Sequence, residues 1–124
     1  MNLLENLGIK KVSVTADKTI ISVSVTDKLK QPFGLVHGGI NGVLAETAAS
    51  LGANEWLKEN IPGQICVGMN INTEHLRPVK IGEIRAIAQS LKTGRKFQTW
   101  QVNLYNFDKL TSTSMITLAN IEKP

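Results

Sequence analysis

Residues 37–58 read HGGINGVLAETAASLGANEWLK. After the paired glycines the spacing turns helical, with Ile40, Val43, Leu44, Thr47, Ala48 and Leu51 on one broad stripe. This predicts one long helix from Ile40 to about Lys58, closed by NIPG at 60–63. The helix is built largely from small residues: Gly39, Gly42, Ala45, Ala48, Ala49, Ser50, Gly52 and Ala53. Each interior glycine costs roughly 0.5 to 1 kcal/mol relative to alanine, so another element must approach the backbone closely enough to recover that cost. A curved sheet wrapped around the helix would do so.

Outward from the helix, the rest of the chain reads as strands. IISVSVT at 20–26 alternates Ile21, Val23 and Val25 against Ser22, Ser24 and Thr26, the period of a half-buried strand, and KKVSVT at 10–15 precedes it. DKLKQPFGLVHGG at 27–39, with Pro32, Gly34, Gly38 and Gly39, is a long ordered loop. Beyond the helix, QICVGMNIN alternates through Ile65, Val67, Met69 and Ile71, and weaker strand patterns follow in GEIRAIAQSLK, FQTWQVNLYNF and TSTSMITLANI. Their hairpin-length links imply antiparallel pairing. The expected fold is α+β, a single domain over 1–124 with one long central helix lying across a curved antiparallel sheet of five or six strands.

Length and composition bound the function. With 124 residues and 42% apolar content the chain can bury a core. The first residues, MNLLENLGIKK, carry Glu5 inside a short apolar run with the lysines after it, a poor secretory signal. No run approaches membrane-spanning length. The one cysteine, Cys66, has no partner for an internal disulfide. These features point to the cytoplasm and to no membrane partner. The net charge of +4 is spread over scattered lysines, and aromatics make up 5%, which argues against a nucleic-acid partner and for a small phosphorylated ligand.

One residue inside the helix raises the functional question. Glu46 is the only formally charged side chain between Lys30 and Glu55, and a carboxylate in such company is costly unless paired or used. Gly39, Gly42, Glu46 and Ser50 share one helix face. A carboxylate with a hydroxyl one turn away suits a general base or nucleophile, and equally a structural glutamate capping a strand or paired with Arg77. Gly38 and Gly39, where loop becomes helix, offer backbone N–H groups and the positive end of the helix dipole to an anion or oxyanion. His37 beside them either donates to a ligand carbonyl or bonds to backbone. His75 closes the strand CVGMNINTEH. The histidines and Cys66 lack compact metal-ligand spacing, and no phosphate loop or dinucleotide motif is present, so no metal or cofactor is expected. Val43, Leu44, Phe33 and Met69 are candidates for an aryl pocket or for the core.

QPFGLVHGG at 31–39 followed by AETAAS at 45–50, then CVGMNINTEHLRPV and GRKFQTW, resembles the hotdog-fold acyl-CoA thioesterases over nearly the whole chain. The likeness is to the aryl-CoA branch, whose members serve menaquinone and enterobactin synthesis. It implies hydrolysis of an acyl-CoA to free acid and coenzyme A. In that reading Gly38 N–H polarises the thioester carbonyl with Gln31 and His37 assisting, Glu46 is the catalytic carboxylate, and Ser50 orients it or its water. His75 lies near the thioester, and Gly39, Arg77 and Arg95 are further substrate-binding candidates, the arginines for the nucleotide phosphates. The resemblance also implies a homo-oligomer: a dimer with edge-to-edge sheets and shared sites, two of which form a tetramer. Leu76 stands where some relatives carry a second histidine, so no role is carried over to it. The rival readings are an acyl-CoA-binding module, which needs no carboxylate at the thioester, an acyl-carrier-protein thioesterase, a dehydratase with a differently spaced histidine and acid, and a scaffold, which leaves Glu46 unexplained.

Overall fold

The computed structural model describes all 124 residues. A one-turn helix α1 (Leu3–Leu7) leads into strands β1 (Lys10–Val14) and β2 (Lys18–Ser24), and helix α2 (Gly38–Asn60) precedes β3 (Gln64–His75), β4 (Glu83–Lys92), β5 (Phe97–Asn106) and β6 (Lys109–Glu122). The strands make one antiparallel six-stranded sheet in the order β1-β2-β4-β5-β6-β3. This is the expected helix-and-sheet architecture, with α1 an addition that the sequence reading did not contain. No helix is long and apolar enough to cross a membrane.

The sheet curls around α2, and the small residues decide which side it touches. The buried face of the helix is Asn41, Leu44, Ala45, Ala48, Ala49, Gly52, Ala53 and Leu57. That face is rotated from the expected stripe: Leu44 and Ala48 are buried as expected, but Ile40, Val43, Thr47 and Leu51 are only half-buried while Ala45, Ala49, Gly52 and Ala53 are buried. The reason is close approach. A Cβ on Gly52 would stand 2.7 Å from both Trp100 Cζ3 and Thr19 Oγ1, so β5 and β2 press directly on the helix backbone. The Trp100 indole N–H donates to Gln98 Oε1 at 3.0 Å, and Gln98 Nε2 donates in turn to Ala53 O at 3.3 Å and Asn120 Oδ1 at 3.2 Å. Helix and sheet are thereby joined by a buried polar chain as well as by packing.

Strand β3 departs from the alternation that its sequence suggests. Cys66 is its buried residue, while Val67, Met69 and Ile71 are 39%, 59% and 40% exposed. A bulge between Gly68 and Asn70 breaks the pairing with β6, and the other side of β3 has no neighbour in the chain, so it is a twelve-residue edge. The 27–37 loop is ordered by a 3₁₀ turn at Asp27–Leu29, a bridge between Lys30 and Val36, and bonds from His37 N–H to Leu29 O (2.8 Å) and Val36 N–H to Val79 O (2.9 Å). These bonds fix where α2 begins.

The packing of Gly52 generates a stability prediction. Alanine there gains up to about 1 kcal/mol of helix propensity, but overpacking against a fully buried tryptophan costs about 1–3 kcal/mol. Gly52→Ala is therefore expected to lower the urea midpoint, with a net loss of about 1–2 kcal/mol. A midpoint equal to or above wild type would show that the Trp100 ring has room to move.

Candidate active site

The start of α2 is an arrangement of hydrogen-bond donors. His37 is the N-cap, its Nδ1 accepting from Gly39 N–H at 2.8 Å while its carbonyl accepts from Ile40 N–H at 2.9 Å. Gly39 N–H is thus spent on the cap. Gly38, at the first helical position, meets no protein acceptor with its N–H, as expected of a helix end. The ring of His75 lies against it: a Cβ on Gly38 would stand 3.2 Å from His75 Cε1 and 3.4 Å from Nε2. Asn41 Nδ2 is 2.9 Å from His75 Nδ1. These groups, with Val36, Arg77 and Val79, line a cleft of about 300 Å³. Arg77 is held there by its Nη1, which donates to Leu110 O at 2.6 Å.

Glu46 and Ser50 face a different space. They line a second cleft of about 340 Å³, whose apolar walls include Leu3 and Leu4 of α1 and Val43 and Leu51 of α2. The Glu46 carboxylate lies on the β3 backbone at its bulge, where a Cβ on Gly68 would stand 2.6 Å from Oε2 and 2.9 Å from Cδ. The ion pairs of the chain are Lys30 with Asp27 and Lys58 with Glu55, so neither Arg77 nor any other cation neutralises Glu46. It is half-buried, and water therefore carries part of its solvation. Glu46 and Ser50 sit one turn apart without a direct hydrogen bond, and the Ser50 carbonyl accepts from Cys66 Sγ at 3.5 Å. Burial, with a smaller push from the Glu46 charge, raises the Cys66 thiol from 9.0 to about 11, so this cysteine stays protonated at neutral pH.

The remaining candidates lie apart from both clefts. Gln31 Oε1 accepts from Phe33 N–H and, at 3.3 Å, from Leu35 N–H, so this side chain shapes the loop that leads to His37. Arg95 is exposed in the turn between β4 and β5, where its carbonyl accepts from Asn120 Nδ2 at 3.0 Å. Of the four aryl-pocket candidates only Val43 reaches a cleft: Leu44 is core, and Phe33 and Met69 are 87% and 59% exposed. Sequence reading missed Asn41 and Gly68. A signal existed for each: an asparagine, a poor helix former, in the first turn of a helix, and a glycine inside a strand, which marks a bulge or close approach.

Comparison with known proteins agrees with this architecture. The thioesterase superfamily pattern matches residues 33–113. The chain is 38% identical to a 1,4-dihydroxy-2-naphthoyl-CoA hydrolase from Listeria monocytogenes over 96% of this chain and 95% of that protein. It is 36% identical to the proofreading thioesterase EntH of Cronobacter turicensis over 84% and 74% of the two chains. The crystal structure of a thioesterase from Haemophilus influenzae superposes with a TM-score of 0.88 at 36% identity, over 96% of this chain and 82% of that one. The chain belongs to the thioesterase superfamily, in its hotdog fold, and the class of reaction is thioester hydrolysis.

The contact of Glu46 with Gly68 can be tested directly. Gly68→Ala is expected to push the carboxylate off the strand and lower kcat for thioester hydrolysis by about a hundredfold, the scale of an ångström-sized misplacement, with the circular-dichroism melt little changed. Wild-type kcat in this variant would show that the position of the carboxylate on β3 is immaterial.

Proposed function

We propose that the protein hydrolyses an acyl-CoA thioester with an aromatic acyl group, at sites each built by two chains. One observation carries the reading: within one chain the free Gly38 N–H and the Glu46 carboxylate open into separate clefts. Glu46 lies eight helical steps beyond Gly38, about 12 Å along the axis at 1.5 Å per residue. A single helix cannot offer both groups to one carbonyl carbon. Two antiparallel copies of α2 across a two-fold axis would bring the N-terminus of one near the middle of the other.

The edge of the sheet supports the same arrangement. A long unpaired strand with exposed Val67, Met69 and Ile71 is a liability in a monomer and a ready surface for pairing with its own copy. In the assembled site Gly38 N–H, with His37 and His75 beside it, stabilises the charge that develops on the thioester oxygen; one such preorganised donor is worth roughly 3 kcal/mol in the transition state. Glu46 from the partner chain attacks the carbonyl or removes a proton from the attacking water, and Ser50, one helical turn away in the same cleft, is the candidate to orient that water. Arg77 stands at the rim for an anionic part of coenzyme A. The aromatic acyl preference rests on the relative named for an aryl-CoA substrate and on the apolar walls of the Glu46 cleft.

The substrate reading is tested by following thiol release from a panel of CoA and acyl-carrier-protein thioesters with Ellman's reagent, to which the protonated Cys66 is a poor nucleophile. Benzoyl-CoA or dihydroxynaphthoyl-CoA should outpace palmitoyl-CoA, and Glu46→Gln should lower kcat by at least about a hundredfold, the scale for loss of a catalytic base. Palmitoyl-CoA as the best substrate, or a carrier-protein thioester turned over faster than its CoA counterpart, would overturn the assignment.

Shared sites have a separate test. Gln31→Ala, which unties the loop that sets His37 and Gly38, and Glu46→Ala are each expected to be inactive alone; the two chains are unfolded together in equal amounts and refolded. Half of a random dimer population is mixed, and each mixed dimer holds one intact site, so activity should return to about a quarter of wild type. A mixture that stays inactive after mass spectrometry confirms exchange would place the whole site within one chain.

A further inference from the structure

Asn41 has no role in the scheme above, yet it is a buried amide, 7% exposed, in the first turn of a helix face otherwise made of leucine, alanine and glycine. Its one side-chain partner is His75 Nδ1, at 2.9 Å, and its own Oδ1 is buried without a partner. We propose that Asn41 is a positioning residue: it holds His75 in the tautomer that carries the proton on Nε2, setting an imidazole N–H donor beside the free backbone N–H of Gly38.

The chemistry of the two groups fixes the direction of the bond. A carboxamide nitrogen can only donate, so with Nδ2 against the ring, Nδ1 must be the acceptor. The reversed amide would let Oδ1 accept from a protonated Nδ1, but would leave a buried NH₂ with both hydrogens unpaired. A buried amide nitrogen with no partner is rarer and less tolerable than an orphaned carbonyl oxygen, and in the observed orientation Nδ2 has its partner and Oδ1 is the atom left without one. A neutral imidazole has one ring proton, and with Nδ1 accepting it resides on Nε2. The ring edge formed by Cε1 and Nε2 lies nearest Gly38, with Cε1 3.2 Å and Nε2 3.4 Å from where a Cβ would stand. The other histidine behaves alike: His37 Nδ1 accepts from Gly39 N–H, which leaves its Nε2 as the donor. Both histidines of the chain are thus held with Nδ1 turned inward and Nε2–H free at the start of α2.

That the donor pair serves a thioester carbonyl rests on the hydrolase reading, whereas the grip of Asn41 on His75 does not, and the experiment separates them. Imidazole ¹⁵N spectra of the intact protein, assigned with a His75→Gln variant, are expected to show His75 unprotonated at Nδ1 and protonated at Nε2 in its neutral form. Asn41→Asp, nearly the same size, should reverse this, because a carboxylate only accepts and requires the proton on Nδ1. In the thioester assay Asn41→Asp and Asn41→Leu should lower kcat by about tenfold or more through the misdirected donor, with KM changed less than kcat. A wild-type His75 that carries its proton on Nδ1 or mixes tautomers, an Asn41→Asp spectrum like wild type, or a reversed tautomer with unchanged kcat would each overturn the proposal. If wild-type protein hydrolyses no thioester, the hydrolase reading fails, and the ¹⁵N pattern alone still supports or overturns the hold of Asn41 on His75.

Discussion

The structure depends on how closely a sheet can approach a helix. At Gly52 the indole of Trp100 occupies the space that any side chain would take, and the alanines around it let β2, β4 and β5 close in along the same face. Tight packing of this kind recovers in dispersion and burial what the glycines lose in helix propensity. It also sets the rotation of α2. Because the small face must pack on the body of the sheet, the face with Val43, Glu46, Thr47, Ser50 and Leu51 turns to a cleft, with Glu46 laid against the edge strand β3. The carboxylate is thus presented by the same constraint that closes the core.

This rotation is also where the sequence was hardest to read. Apolar size ordinarily marks the buried face of a helix, and here it misleads in part: Leu44 and Leu57 are buried, but Val43 and Leu51 are larger than Ala45 and Gly52 and less buried. The abundance of small residues was legible, as were the curved sheet and the hairpin order of β4 to β6, because strands β2 and β5 keep a period of two with one face in the core. Strand β3 was misleading for a physical reason. Its alternating Val67, Met69 and Ile71 form an apolar row that this single chain leaves in solvent, and a bulge at Gly68 and Asn70 interrupts the register. A pattern that predicts burial is equally produced by a surface made to meet another chain.

The candidate residues divide on similar grounds. His37, Gly38 and Glu46 could be picked out because a histidine, paired glycines and a lone carboxylate are conspicuous in a greasy stretch. Asn41 and Gly68 could not be placed from sequence, since their importance lies in contacts made across the fold: an amide on α2 meeting a ring at the end of β3, and a missing side chain on β3 that makes room for a carboxylate on α2. Both are contacts between the same helix and the same strand. The α2–β3 junction therefore organises both clefts, at its histidine end and at its bulge.

Glu46 itself shows why the site is open at this junction. An ionised carboxylate sealed in the core without a partner would cost several kcal/mol, and no cation or donor of the chain meets this one. Half-burial against Gly68 reduces that cost by leaving one side of the group open to solvent. The opposite cleft holds N–H donors at a helix N-terminus, with no carboxylate among its lining residues. Thioester hydrolysis can be divided in this way because a thiolate leaves without strong protonation, so a general acid is dispensable. In the proposed scheme what remains is charge on the carbonyl oxygen, which the donors would meet, and a nucleophile on the other side of the carbon, which the carboxylate would supply. Separating the two along α2 also prevents the carboxylate from occupying the donors itself, as it would if the two groups lay within one turn of each other on a single helix.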